Sequence, residues 1–177
     1  MVESTGPQGN PLPTGVPEPA RAAVHALWAL DEALGRVLAT GREPMISRIR
    51  LAWWREALER LDREPPPKEP VLEGLAREVL PRGVAGAELA EMEPGWAVLP
   101  GDQPITRDDL DAYAAARGAL LFRFTARLLG GGVDVGPAGE AWALVDLARH
   151  STEASDAEAA LAAARERPLP RRWPKAL

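Results

Sequence analysis

The sequence predicts an all-α protein: a single, reduced helix bundle of about six to seven helices. Three observations predict it. Almost no segment alternates apolar and polar residues with the period of two that a half-buried strand needs. Ala, Leu, Glu and Arg are plentiful while Tyr, Thr, Ile and Phe are scarce, a balance that favours helix over strand. Gly and Pro stand between the apolar-periodic stretches and punctuate them.

Each element follows from that punctuation. Residues 1–18 are rich in Pro and Gly and are expected to be extended or disordered. They carry neither the basic start nor the apolar run of a secretory signal. The helical domain is expected over 19–167 and a Pro-rich tail over 168–177. A first helix is predicted from about Ala20 to Ala39, closed by Gly41 at the position after the cap. Glu43-Pro44 opens a second, with proline in the first turn, running to about Arg63 before three consecutive prolines. Shorter helices are predicted over Pro70 to Leu80 and over Val84 to Met92. Glu93 to Pro104 holds three Pro and two Gly and reads as a loop. Thr106 reads as an N-cap for a long helix that ends at Gly130-Gly131-Gly132. A helix from Pro137 to about Arg149 is apolar nearly all round, which suggests a central position. Ser155 is read as the cap of a last helix, about Asp156 to Arg167.

Composition removes whole classes of function. The 177 residues amount to one domain with a core that needs no staples. Without cysteine there are no disulfides, thiolate metal sites or cysteine nucleophiles. The only histidines, His25 and His150, cannot make a multi-histidine metal site, and both read as surface or capping residues. A net charge of −5 argues against general nucleic-acid binding. No apolar run approaches the ~20 residues of a transmembrane helix, so a cytoplasmic protein is expected. Ser47, Ser151 and Ser155 have no nucleophile-elbow context, and the triple glycine follows a helix instead of opening one, so it is no phosphate loop. Asp108, Asp109 and Asp111 sit in a first turn, where the helix dipole favours acids, so they are read as structural and not as metal ligands. Trp96 and Trp173 fall in Pro/Gly-rich segments and are read as pins for those segments, with partner contact as the other role open to them.

Helical wheels expose a further pattern. In the second helix Ile46, Ile49, Leu51, Trp53, Trp54, Ala57, Leu58 and Leu61 cover more than half the circumference, and Arg50 falls inside that arc. Asp31 falls in the apolar side of the first helix, Arg117 in that of the long helix, and Asp146 with Arg149 on the helix after it. Buried charges must pair or face a wet cavity. Two readings fit: a polar pocket that binds an anionic ligand through arginine, or a self-neutralising network with some side chains snorkelling outward. The balance of signs favours the network.

The segment EPMISRIRLAWWREAL, Glu43 to Leu58, resembles a signature helix of the squalene/phytoene synthase family, with Glu43, Pro44, Arg50, Trp53, Trp54 and Arg55 as its marked positions. AVHALWALDEALGRV before it, YAAARGALLFRFTARLLGG after it and AGEAWALVDLAR beyond resemble further family helices in the family's order, covering about Ala20 to Arg149. The resemblance implies an isoprenoid-synthase-like bundle. It also implies a chemistry: catalytic members condense two prenyl diphosphates head to head, with Mg²⁺ held between the diphosphate and two Asp-rich motifs on facing helices.

The sequence departs from the family at those motifs. Where the first should fall it reads Leu34-Gly35-Arg36-Val37-Leu38; Asp31 and Glu32 are near, but the residue four after Asp31 is Gly35. Where the second should fall it reads LVDLARHS, and the residue four after Asp146 is His150. Catalytic members are also longer, with further helices after the second motif. Non-catalytic branches exist, one of which serves assembly of respiratory complex I. The expectation is a degenerate, transferase-like protein that binds a protein partner or an isoprenoid- or lipid-like ligand, with no resident metal or cofactor. The alternative is a Mg²⁺-dependent prenyltransferase with Asp31, Glu32 and Asp146 as atypical carboxylates. A second alternative is a structural subunit of a larger complex.

Overall fold

The structure, a computed structural model, describes residues 15–41, 43–101 and 103–168. Trp173, and most of the expected N-terminal segment and C-terminal tail, lie outside the described residues. Every regular element among them is helical. In order these are α1 (Glu18–Thr40), α2 (Pro44–Arg60), α3 (Pro70–Glu78), a 3-10 turn (Leu80–Arg82), α4 (Gly86–Ala90) and α5 (Glu93–Ala97). A continuous rod follows, made of α6 (Arg107–Tyr113), a π-helical segment (Ala114–Ala119) and α7 (Leu120–Leu128). The chain continues through α8 (Gly136–His150) and α9 (Ala154–Arg165). No described helix is long and apolar enough to cross a membrane.

The central element is α1. Its buried positions Ala23, Val24, Leu27, Leu30, Asp31, Leu34 and Val37 recur at helical spacing, and it touches α2, α3, α5 and α7. The helix expected to be central, α8, packs between the rod and α9, burying small residues and Leu144 and leaving Val145 exposed. Those small residues have a purpose. A β-carbon on Gly118 of the π segment would stand 2.2 Å from the carbonyl oxygen of Gly139, and one on Gly139 would stand 2.1 Å from that of Gly118. Two backbones meet there with no room for a side chain. A satellite core of Leu110, Ala114, Leu144, Ala160 and Ala163 fastens α9 beneath the same crossing.

The ends of the helices follow local chemistry. Thr106 caps α6 with Asp109 in a reciprocal box: the Asp109 amide donates to the threonine hydroxyl at 3.2 Å, and the Asp109 carboxylate accepts from the Thr106 amide at 3.0 Å. The rod ends as predicted, at Gly130 with φ +73°, where the Gly131 amide donates to the Ala126 carbonyl at 2.8 Å and the Gly130 amide to Arg127 at 3.0 Å. Gly41 differs from its predicted role. Its φ is −77°, so it is no left-handed cap; a β-carbon there would collide with the Ser47 hydroxyl, 2.0 Å away. The glycine makes room for buried Ser47 as the chain turns into α2.

Three expectations are corrected. The helix read from Val84 begins at Gly86, where the Asp62 carboxylate accepts from the Gly86 and Ala87 amides at 2.6 and 2.9 Å. Glu93 to Ala97, read as loop, is α5: Pro94 sits in the first turn, where a missing amide costs nothing, and Gly95 is required because its β-carbon would stand 2.9 Å from that of Ala116. The last helix starts at Ala154, with Glu153 and not Ser155 at the cap position.

Candidate functional site

Five elements, the one that carries Arg117 included, meet at this residue. Asp31 comes from the middle of α1, Trp96 from α5, Tyr113 from α6, Arg117 from the π segment, and Trp142 with Asp146 from α8. The guanidinium meets the Asp31 carboxylate as a fork, Nε to Oδ1 at 2.8 Å and Nη2 to Oδ2 at 2.9 Å. Nη1 donates to Asp146 Oδ2 at 2.7 Å and also to the Tyr113 hydroxyl. The guanidinium lies over two indole rings, its central carbon 4.4 Å from the Trp96 ring centre and 4.7 Å from that of Trp142.

Asp31 and Arg117 are 3% and 4% exposed, while the Asp146 side chain retains 21%, so the cage is closed at its Asp31 end and reaches solvent at Asp146. Burial is the largest influence on Asp31 and raises its carboxyl above the usual range, with Arg117 pulling against it. Burial likewise raises the Tyr113 hydroxyl, so it stays protonated. Burial opposes the charge on Arg117, but Asp31, Tyr113 and Asp146 together outweigh it and hold the guanidinium protonated.

The aromatic walls have their own supports. Trp96 stacks edge-on against Tyr113 at 5.5 Å, and Gly35 leaves room for it: a β-carbon on Gly35 would stand 3.1 Å from Cη2 of the indole. No partner among the described residues takes up the Trp96 Nε1 proton, so stacking rather than hydrogen bonding fixes that ring. Trp142 packs against Trp28 at 5.4 Å and Phe122 at 5.6 Å, and Trp28 is anchored by a 3.2 Å hydrogen bond to the Thr125 hydroxyl.

Of the interior charges read from the sequence, Asp31, Arg117 and Asp146 meet here and Arg50 and Arg149 do not. Arg50 is exposed. The wheel put it inside an apolar arc, but only one side of that arc is covered: Leu51, Trp54, Ala57 and Leu58 are buried, whereas Met45, Ile46, Ile49 and Trp53 are between 41% and 65% exposed. Arg50 lies toward the uncovered side. Arg149 is exposed near the end of α8. Glu32 points away from the cage and faces Arg36 at 3.7 Å. His150 is exposed, its Nδ1 2.8 Å from the Asp146 carbonyl oxygen and 3.6 Å from the Asp146 carboxylate.

The marked positions of α2 divide by role. Glu43 precedes the helix, with no side-chain capping bond, and Pro44 fills the first turn. Trp54 is core, and exposed Trp53 meets it edge-on at 5.3 Å. Arg55 pairs with Glu59 at 3.1 Å and lies 3.6 and 3.8 Å from Glu91 and Glu93. Asp111 pairs with Arg107 and Arg167, and Asp109 is spent on the cap. Among the described residues no three His, Asp or Glu side chains gather as metal ligands.

Sequence reasoning missed Tyr113 and Trp142 as members of the cage. A signal existed for Tyr113, which precedes Arg117 by four residues on the same stripe and therefore shares its face. The same signal existed for Trp142, which precedes Asp146 by four residues on α8, although how closely its ring approaches Arg117 depends on the glycine crossing.

A family model described as squalene/phytoene synthase matches residues 15–177. No curated protein and no solved structure matches the chain.

Proposed function

The chain belongs to the squalene/phytoene synthase family, and from that premise we propose that it is a non-catalytic member, a binding or assembly-factor-type protein. The carrying observation is the use to which Asp31 is put. A magnesium pair that bridges a diphosphate needs clustered, accessible carboxylate oxygens. Both oxygens of Asp31 are engaged by Arg117, and Asp146 is bonded to the same guanidinium. The positions four residues on are Gly35, held under Trp96, and His150. The donor set does not fit the metal.

A binding role has separate support. Met45, Ile46, Ile49 and Trp53 form an exposed apolar stripe on α2, continuous with a cleft of about 160 Å³ that Trp53, Ala57, Leu61, Pro65 and Pro67 help to line. Exposed apolar patches of this kind mark interaction surfaces. The bound species is a protein partner or an isoprenoid- or lipid-like molecule.

Two measurements test the proposal. Farnesyl or geranylgeranyl diphosphate with Mg²⁺ should release no diphosphate; release would establish the prenyltransferase reading instead. Purification from the native host should recover a partner or a lipid with the chain. Recovery of the chain alone would defeat the binding reading.

A further inference from the structure

The cage around Arg117 has the composition of a receptor for a planar organic cation. We infer that Asp31, Asp146, Tyr113, Trp96 and Trp142 form a guanidinium-binding seat, and that Arg117 fills it as an internal ligand.

The geometry is that of a bound ligand. The two Asp31 oxygens lie in register with Nε and Nη2, a match available to guanidinium and not to a tetrahedral ammonium. Indole faces lie at 4.4 and 4.7 Å from the guanidinium carbon, and aromatic faces attract cations most strongly where water is excluded. Two carboxyl groups and a hydroxyl surround one guanidinium, so every polar group lining the seat accepts from a cation's donors.

The walls have supports besides their occupant. Trp96 is held by Tyr113 and by the space over Gly35, and Trp142 by Trp28 and Phe122. Asp31 is set by α1, the most enclosed helix of the bundle. Removing the Arg117 side chain therefore leaves a shaped, acidic, aromatic cavity. Its way in is at Asp146, the one charged member that reaches solvent. The inference holds whether or not the chain retains prenyltransferase chemistry, so the two proposals fail separately.

The test is chemical rescue of Arg117→Ala. Guanidinium chloride at a few millimolar, far below denaturing levels, should raise the melting temperature of the variant by about 3 °C in a saturable way. Wild type, whose seat is filled, should not respond. Methylammonium chloride at the same ionic strength should give a smaller rise, and Arg117→Ala combined with Trp142→Ala should lose the response. A variant that responds to guanidinium no more than wild type does would overturn the inference. Should Arg117→Ala fail to fold, ¹⁵N-arginine spectra of the wild type decide the matter. One guanidinium should show ring-current-shifted protons that exchange slowly with water, and their absence would overturn the inference equally.

Discussion

Gly35 lies beneath the indole of Trp96, so close that a β-carbon there would stand 3.1 Å from Cη2. The position four residues after Asp31, where a second carboxylate would complete a metal-binding pair, is thus occupied by a ring from another helix. Gly35→Asp should not restore magnesium binding. It should push Trp96 off Arg117 and destabilise the fold by about 1–3 kcal/mol. Urea denaturation with and without Mg²⁺ measures both; a gain in stability specific to Mg²⁺ would show that the ring yields.

The Asp31–Arg117 pair should behave as a unit. Asp31→Leu leaves a buried guanidinium with only Asp146 to answer it and should cost about 3–5 kcal/mol. Combining it with Arg117→Met removes the stranded charge, and the double variant should be more stable than the sum of the single effects by at least about 1 kcal/mol. A double-mutant cycle in denaturant gives the coupling directly, and additive losses would mean that the fork contributes no specific interaction.

Glycine substitutions should separate contact from conformation. Gly118→Ala drives a methyl group to 2.2 Å from the Gly139 carbonyl oxygen and must part the rod from α8, at a cost of about 3 kcal/mol or more. Gly83→Ala meets nothing within 4 Å but must adopt φ +84°, and should cost only about 1 kcal/mol. Thermal melts of the two variants compare them.

Glu93 supplies a pH dependence of defined sign. Burial raises its carboxyl above the ordinary value of 4.5, with Arg55 only partly opposing. Between that value and the raised one, the folded state holds a proton that the unfolded state has lost. The contribution of Glu93 is therefore fully present below about pH 4.5 and is lost as pH rises through the folded pKa. Glu93→Gln removes the titration, so its melting temperature should gain on that of wild type as pH is raised from 4 toward 7. A constant difference across that range would refute the assignment.

The exposed side of α2 should matter for binding and not for folding. Ile49, 63% exposed, touches no core, so Ile49→Glu should change stability by no more than about 0.5 kcal/mol. The same change should abolish recovery of whatever copurifies with the wild-type chain. Undiminished recovery would place the binding surface elsewhere.

The long helices were legible because their ends carry chemistry that acts locally: Pro44 in a first turn, Thr106 with Asp109, Gly130 at a left-handed turn. Helix α5 was not, because Pro94 and Gly95 read as breakers until the rod supplies the neighbour that requires a glycine. The site divides in the same way. Asp31, Arg117 and Asp146 each betray themselves as charges on apolar faces. Arg50 looks the same on a wheel, which records the width of an apolar face and not whether anything covers it. Nothing in the run from Ala114 to Ala119 announces a π-helical turn, which is a response to packing.

The meeting of Gly118 and Gly139 has a mechanical consequence. Peptide groups are stiff, and no side chain lies between them there to absorb a displacement. Arg117 adjoins one of these glycines, and Asp146 lies about two turns along α8 from the other. The crossing is therefore a fulcrum: any tilt of α8 about it changes the reach between carboxylate and guanidinium in proportion to the lever arm. A load applied to the far end of α8 would register first as a loosened Asp146 contact, while Asp31, on a different helix, keeps its grip.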